Sequence, residues 1–450
     1  MKDKQKNNLH SLSFPDPYLV SATDQYYGVT PSYEEKHTKK AKRKKIAQPS
    51  IEAIKSKKLR ILITTFWDYP AVGGLQNYIS TLKNGLEKLG HSVDIIAPNK
   101  FPKDIVKKLK KKFSKETKKF YYNRYGCYSE EIVKQNVRLI SYEMMLRDMD
   151  LEGYDIFHAQ DRFTANVLGR INQYYQKPLL FTPHGFMTHR RLQFNLLEKG
   201  SVEESYFLSM DQNATVSSNH MIILCEAFRP ILKNIGAVDS NLTTIYTGID
   251  FNLENTKKTV KKPKGKTVIT CISRLRPRKG HKYLFEALAL LKSDFNNVDV
   301  WIVGDGEMRE ELEDQVNTLQ LDNVSFLGTR TDIPELLSRS DIFVLPTTSD
   351  TLPISIIEAM FAEKAIITTN CGGIPEIIED NHSGLIAEQK NAHQLSKKLS
   401  LLLRDSTLRK TLAQNAKAFA DQHLTSTNMV KKIEEIYQSL LYQGVKEDAT

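Results

Sequence analysis

Along this chain a short run of consecutive apolar residues is followed again and again by a polar loop and then by apolar residues at helical spacing. The runs include LRILITT (59–65), HSVDIIAP (91–98), YDIFHAQD (154–161), PLLFTPHG (178–185) and HMIILCEAF (220–228). After a turn at NLTTIYTGID (241–250) and a basic KKPKGK segment (261–266), the pattern resumes with TVITCIS (267–273), VDVWIVGDGE (298–307), NVSFLGTRTDI (323–333), DIFVLP (341–346) and AIITT (365–369). These runs are continuous rather than alternating, as strands of a parallel sheet covered on both faces must be. Between the first two, Leu75, Tyr78, Ile79, Leu82, Leu86 and Leu89 recur at helical spacing, and Gly90 is placed to end that helix. The strand–helix alternation, carried through 450 residues, predicts an α/β chain of two Rossmann-like domains.

Asp341–Ile378 is the richest unit. DIFVLP and AIITT flank PISIIEAMFAEK, whose Pro353 suits a first helical position. Ligands of open parallel sheets lie outside the carboxyl ends of the strands, which puts one at TTSDTL, Thr347–Leu352, and at the helix N-terminus of Pro353 and Ile354. Free backbone N–H groups there favour an anion. Glu358 lies one turn into the helix and leans back toward that end, and Asp350 lies in the loop itself. Two carboxylates beside an anion site suit a ligand with phosphate in the middle and hydroxyls at both ends.

Such a ligand is a nucleotide sugar, and the stretch resembles the family 4 (group 1) retaining glycosyltransferases of the GT-B fold. Their signature, Glu, seven residues, Glu-Ala, then Gly-Gly-x-Pro-Glu, stands here as Asp350, Glu358-Ala359 and Gly372-Gly373-Ile374-Pro375-Glu376. Asp replaces the first Glu, and Thr351 stands where glycine is common. The resemblance extends over most of residues 58–440. It implies two Rossmann-like domains facing across a cleft, donor on the second and acceptor on the first. It also implies transfer of a sugar from a nucleoside diphosphate to a hydroxyl with retention, in cell-surface glycan or glycolipid synthesis.

Further roles follow from the resemblance. Arg274 and Lys279 in SRLRPRKG stand at the spacing of the family's diphosphate-binding pair, and a guanidinium fork with an ammonium suits two linked phosphates. Gly73 and Gly74 fall in the loop that lies beside the donor phosphates. Gly328, Thr329 and Arg330 are implied to meet the base, Glu358 the ribose and Asp350 the transferred sugar, with Thr351, Leu352, Pro353 and Ile354 also on the donor. His184 is implied near the reacting carbon, and His158 and Asp161 near the acceptor hydroxyl. No metal is expected, because Arg274, Lys279 and helix amides stand in for it. Arg276 and Arg278 match no family role and are expected at the surface.

Charge changes the picture at two places. The net +11 is concentrated in residues 1–60, with 14 Lys/Arg against 6 Asp/Glu, and residues 101–124, with 10 against 2. Residues 1–57, with KKAKRKK at 39–45, read as a disordered basic extension. In 101–124, Ile105, Val106, Leu109 and Phe113 recur among lysines. That pattern suits either an anionic membrane surface or packing on the chain's own domain. The domains expected are thus 58–250 and 251–428, with residues 429–450 as a helix crossing back to the first.

No apolar run is long enough to span a bilayer, no secretory segment opens the chain, and four scattered cysteines lack metal spacing. A cytoplasmic enzyme, peripheral on the membrane, is the expectation. Asp148 and Asp150 form an Asp-x-Asp pair, but they precede a strand rather than ending one, which argues against a metal role. Gly73-Gly74 is not a dinucleotide fingerprint, so an NAD enzyme is disfavoured. Nucleic acid is suggested by pI alone. A catalytically weak nucleotide-sugar-binding or scaffold paralogue stays open because of Asp350.

Overall fold

The computed structural model describes residues 16–30, 57–185, 187–253, 260–291 and 297–447. Two six-stranded, all-parallel sheets form the molecule, one in each half. The first comprises β1 (Arg60–Thr64), β2 (Ser92–Ile96), β3 (Ile156–Ala159), β4 (Leu179–Phe181), β5 (His220–Ile223) and β6 (Leu242–Thr244), in the order β2-β1-β3-β4-β5-β6. The second comprises β7 (Thr267–Ile272), β8 (Val298–Val303), β9 (Val324–Gly328), β10 (Ile342–Leu345), β11 (Ala365–Thr369) and β12 (Leu385–Ala387), in the order β12-β11-β10-β7-β8-β9.

These orders locate two crevices. The chain reverses direction across the first sheet between β1 and β3, and across the second between β7 and β10. At a switch point adjacent loops leave toward opposite faces, and a ligand fits between them. The loops after β1, β3 and β4 therefore define one candidate site, and those after β7 and β10 the other.

Continuous apolar strands produce cores on both sheet faces. Ile269, Cys271, Phe343, Val344, Ile366 and Ile367 are buried within the second half. On one face of the first sheet, Ile61, Ile63, Tyr78 and Leu82 pack with Ile433 and Tyr437 of the C-terminal helix Ser426–Glu447. That helix lies along Gly74–Lys88 so closely that a Cβ on Gly85 would fall 2.4 Å from a Val430 methyl.

Of the two basic segments, the first differs from expectation and the second takes one of the two forms expected of it. Residues 16–30 are not disordered: they carry the helix Val20–Tyr27, docked on the first half. Tyr18 donates to Glu143 at 2.6 Å beneath the Arg170 guanidinium, and Asp24 accepts from Arg124 Nη2 and from Tyr125 at 2.7 Å each. Those aromatic and ionic anchors supply what the segment lacks in aliphatic residues. The rest of the expected extension, 1–15 and 31–56, lies outside the described residues. The segment 101–124 forms the helix Lys103–Tyr125, whose Leu109, Phe113, Thr117 and Tyr121 are buried in the first half's core. Its apolar stripe is therefore spent on its own domain, and most of its lysines face outward.

Candidate active site

At the second crevice the β7 and β10 loops are bound to each other. Arg278 N-terminal to Lys279 presents its carbonyl to Thr348 N–H at 2.7 Å and to the Thr347 hydroxyl at 3.0 Å. Gly280 adopts φ +76°, and a Cβ there would lie 2.0 Å from the Pro346 carbonyl oxygen, so only glycine permits the approach. Gly372 repeats the device with φ +54° and a Cβ position 2.0 Å from the Asp350 carbonyl oxygen. The Gly-Gly-x-Pro-Glu segment is thus a brace for the Asp350 loop.

Three cations converge on Asp350. Lys279 Nζ pairs with its Oδ2, Arg278 Nη1 stands 3.2 Å from the same oxygen, and Arg190 Nη2 donates to its backbone carbonyl at 3.0 Å. Burial alone would raise the Asp350 pKa, but Lys279, Arg278 and Arg190 outweigh it and hold the carboxyl at about 2. Arg278 also donates to the Ser349 carbonyl at 2.9 Å. It is therefore a member of the site and not the surface residue expected, because the turn Pro277–Lys279 points it at β10. Arg276 does lie outward, against Glu307.

The Arg274 side chain is partly solvated and makes no hydrogen bond or ion pair among the described residues. Burial, then Arg276 and Arg278 nearby, push its pKa down. A guanidinium crowded by like charges, with one carboxylate among four cations, is an anion site in waiting. Pro353 caps the helix Ile354–Phe361 instead of opening it. One turn in, the Glu358 carboxylate accepts no hydrogen bond among the described residues, and burial raises its pKa to about 7. Both features suit a carboxylate awaiting hydroxyl donors.

The first half closes over this crevice. A Cβ on Gly74 would touch Ile354 Cδ1 at 3.5 Å, so the Gly73-Gly74 loop faces the N-terminus of that helix. Gly185, next to His184, abuts Thr351, and a Cβ there would come within 2.8 Å of the Thr351 hydroxyl. Glu376 reaches the other way and accepts from the N–H groups of Glu226 and Ala227 at 2.7 and 2.9 Å. Gly328, Thr329 and Arg330 stand apart, at the end of the outer strand β9, with Arg330 held by Asp332.

On the acceptor side the expected trio separates. His184 stays at the crevice, its Nε2 2.9 Å from Gln160 Oε1, with burial pushing its pKa down to about 3. His158 is wholly buried beneath the C-terminal helix. Its Nδ1 is 2.7 Å from Tyr437 OH and its Nε2 2.8 Å from Thr182 Oγ1, so both nitrogens are spent on fastening the C-terminal helix. Asp161 caps the helix Arg162–Tyr175 through Thr164 N–H at 2.9 Å, and holds the β1 loop through Phe66 N–H at 2.6 Å. Its acceptor capacity goes to these backbone groups and to the Thr65 and Thr164 hydroxyls, which makes it a brace for the site. Asp148 and Asp150 lie ahead of β3, at the end of the strands away from both crevices.

Arg190 and Gln160 are the site residues that the chain pattern did not single out. Gln160 directly follows the last residue of β3, at the carboxyl end where a ligand is expected, and that position was its one signal.

The comparisons agree with this geometry. The family model described as Glycosyltransferase Family 4 matches residues 72–253, and that described as Glycosyl transferases group 1 matches 252–419. Among curated relatives, N,N'-diacetylbacillosaminyl-diphospho-undecaprenol alpha-1,3-N-acetylgalactosaminyltransferase of Campylobacter jejuni is 31% identical over 294 residues, 64% of this chain and 70% of the relative. UDP-Gal:alpha-D-GlcNAc-diphosphoundecaprenol alpha-1,3-galactosyltransferase of Escherichia coli is 26% identical over 327 residues, 69% of this chain and 80% of the relative. The crystal structure of Anabaena HepE in complex with UDP and glucose superposes with a TM-score of 0.63 at 19% identity, covering 85% of this chain and all of HepE. With one sheet per family model and the cation cluster at the junction of the two, the chain belongs to the family 4, group 1 glycosyltransferases and has the GT-B fold.

Proposed function

We propose that the protein transfers a hexose-type sugar from a nucleoside diphosphate, with UDP the first choice, to a hydroxyl of a lipid-diphosphate-linked saccharide, with retention of configuration. The observation that carries this is the convergence of Lys279, Arg278 and Arg190 on Asp350 at the β7–β10 switch point. The diphosphate lies against Arg274 and Lys279, the ribose hydroxyls donate to Glu358, and Asp350 accepts from hydroxyls of the transferred sugar. The base lies toward Gly328–Arg330. The bond from the anomeric carbon to the β-phosphate oxygen breaks while that carbon bonds to the acceptor oxygen. The acceptor proton passes to the leaving diphosphate on the same face. Four cations around one carboxylate offset the charge that grows on the leaving group, which is the work a divalent metal does elsewhere.

The lipid-linked acceptor is supported by the acceptors in the names of the Campylobacter and Escherichia relatives, both linked to diphosphoundecaprenol. Such an acceptor places the enzyme at a membrane surface. No helix among the described residues is long and apolar enough to cross one. The outward lysines of Lys103–Tyr125 supply an anionic-lipid contact. The deciding experiment is a thermal-shift screen of UDP, GDP and TDP sugars, followed by product analysis with a short-chain polyprenyl-diphosphate N-acetylhexosamine. Binding without transfer or donor hydrolysis by any sugar would replace this reading with a nucleotide-sugar-binding protein.

A further inference from the structure

The first crevice, between the loops after β1, β3 and β4, holds a polar group that the transfer scheme above leaves unused. Gln160 is wholly buried, and one end of its amide lies 2.9 Å from His184 Nε2. The other end, Nε2, has no hydrogen-bond partner among the described residues. Gln160, Trp67, Leu75, Asp161, Pro183 and His184 line a small cavity of about 10 Å³ at this point. That is room for about one water-sized oxygen, and no more. A buried amide end without a partner is costly to keep. The cavity sits at the switch point of the domain that takes the acceptor, and Trp67, one-third exposed, offers a ring face beside it.

We propose that Gln160 is a positioning residue for acceptor recognition, its amide oxygen holding His184 in the Nε2–H tautomer and its amide N–H groups holding one hydroxyl oxygen of the acceptor sugar in this cavity. The inference rests on the glycosyl-transfer reading and extends it to the acceptor. The Nε2–H tautomer leaves Nδ1 as the ring's lone-pair nitrogen, and burial keeps the ring neutral. The amide acts in both directions: oxygen to the imidazole, nitrogen to the sugar. Asp161 cannot replace it, because its oxygens accept from Thr65, Phe66 and Thr164.

Two near-isosteric variants separate the amide's two ends. Gln160→Glu keeps an acceptor toward His184 and removes the N–H donors, while Gln160→Met removes both. In ¹⁵N-imidazole spectra of the wild-type chain, His184 should show the Nε2–H form, and Gln160→Glu should retain it. With UDP-N-acetylhexosamine and a short-chain polyprenyl-diphosphate N-acetylhexosamine, Gln160→Glu should raise the acceptor KM about tenfold or more. Gln160→Met should lose the tautomer preference and lower kcat as well. UDP affinity, measured by calorimetry, should be unchanged in both, which also certifies that they are folded. Wild-type acceptor kinetics in Gln160→Met, or an Nδ1–H tautomer in the wild type, would overturn the inference and leave the glycosyl-transfer reading standing. No transfer and no donor hydrolysis by the wild type would overturn both.

Discussion

Arg190, on the first half, donates to the backbone carbonyl of Asp350, on the second, at 3.0 Å. Its guanidinium also lies 5.0 Å from the Phe228 ring, and burial pushes its pKa down. It is a partly desolvated cation that joins the two sheets at the donor loop. A hydrogen bond to a charged donor contributes about 1.5–3 kcal/mol. Arg190→Ala should therefore lower kcat/KM by roughly tenfold to a hundredfold, because the sugar loop loses its tether. UDP affinity should hold, since the diphosphate is gripped from the other side. Steady-state kinetics and calorimetry decide it, and wild-type turnover in Arg190→Ala would reject the tether.

Arg274 and Lys279 should part company in stability while agreeing in function. Lys279 is ion-paired to Asp350 at a buried position, whereas Arg274 has no partner among the described residues. Removing Lys279 takes the shortest partner from a buried carboxylate and leaves it Arg278 at 3.2 Å, so Lys279→Ala should melt at a lower temperature. Arg274→Ala should melt as the wild type does. Both should bind UDP at least about tenfold more weakly. Chelator should leave wild-type transfer unchanged. A strict need for added divalent metal would overturn the scheme in which side-chain cations carry the leaving group.

Asp350 is held in check by Lys279 and Arg278 before any donor arrives, and that alters what its removal does. Asp350→Ala frees both cations, so the bare nucleoside diphosphate should bind more tightly than to the wild type. Transfer should nonetheless fall by roughly 2–4 kcal/mol in activation free energy, because the sugar hydroxyls lose a charged acceptor. Asp350→Glu restores the carboxylate with one more methylene and should shift donor preference. A donor panel run on wild type and both variants tests this, and unaltered transfer by Asp350→Ala would remove the residue from the sugar site.

The fold was legible because each strand is a continuous apolar run ended by a loop, and because the β10–β11 unit carries its carboxylates at strand and helix ends. Lys279 and Asp350 could be named for the same reason: both sit in the loop that follows a strand. Arg190 could not, since it is one of several cations in MTHRRLQ and its partner lies 160 positions away across the cleft. Strand-end position alone does not say what covers a side chain, and His158 is covered by the C-terminal helix. Here it meets Tyr437, from the far end of the chain. Residues 16–30 misled because aromatic and ionic anchors replace an aliphatic stripe.

The helix Lys103–Tyr125 buries Leu109 and Phe113 in its own domain, so the membrane contact proposed for it is electrostatic, without insertion. Lys107, Lys111 and Lys115 are exposed one turn apart along one face. Liposomes containing anionic lipid should sediment the protein at low salt, with release as salt rises. Changing those three lysines to Glu should weaken binding by about 1 kcal/mol for each engaged charge. Equal binding to neutral liposomes, or none to either, would reject this surface and leave the transferase reading intact.

Glu358 gives the pH dependence its sign. Burial raises its pKa from the ordinary 4.5 to about 7, so the folded chain holds a proton that the unfolded chain releases. Its contribution to stability is fully present below about 4.5 and is lost as pH rises toward 7, above which the buried carboxylate costs roughly 3 kcal/mol. Glu358→Gln removes that ionisation and should raise the melting temperature above pH 7, with little change near pH 4. Donor binding runs the other way. Ribose hydroxyls donate to the ionised form, so UDP affinity should increase between pH 6 and 8, with proton release on binding in that window. Glu358→Gln should flatten the profile and bind UDP more weakly throughout. Calorimetry in buffers of different ionisation enthalpy counts the proton, and melting curves across the same range give the stability limb. A Glu358→Gln protein that is less stable at pH 8, or that keeps the wild-type pH profile of UDP affinity, would show that this carboxylate has a partner other than the ribose.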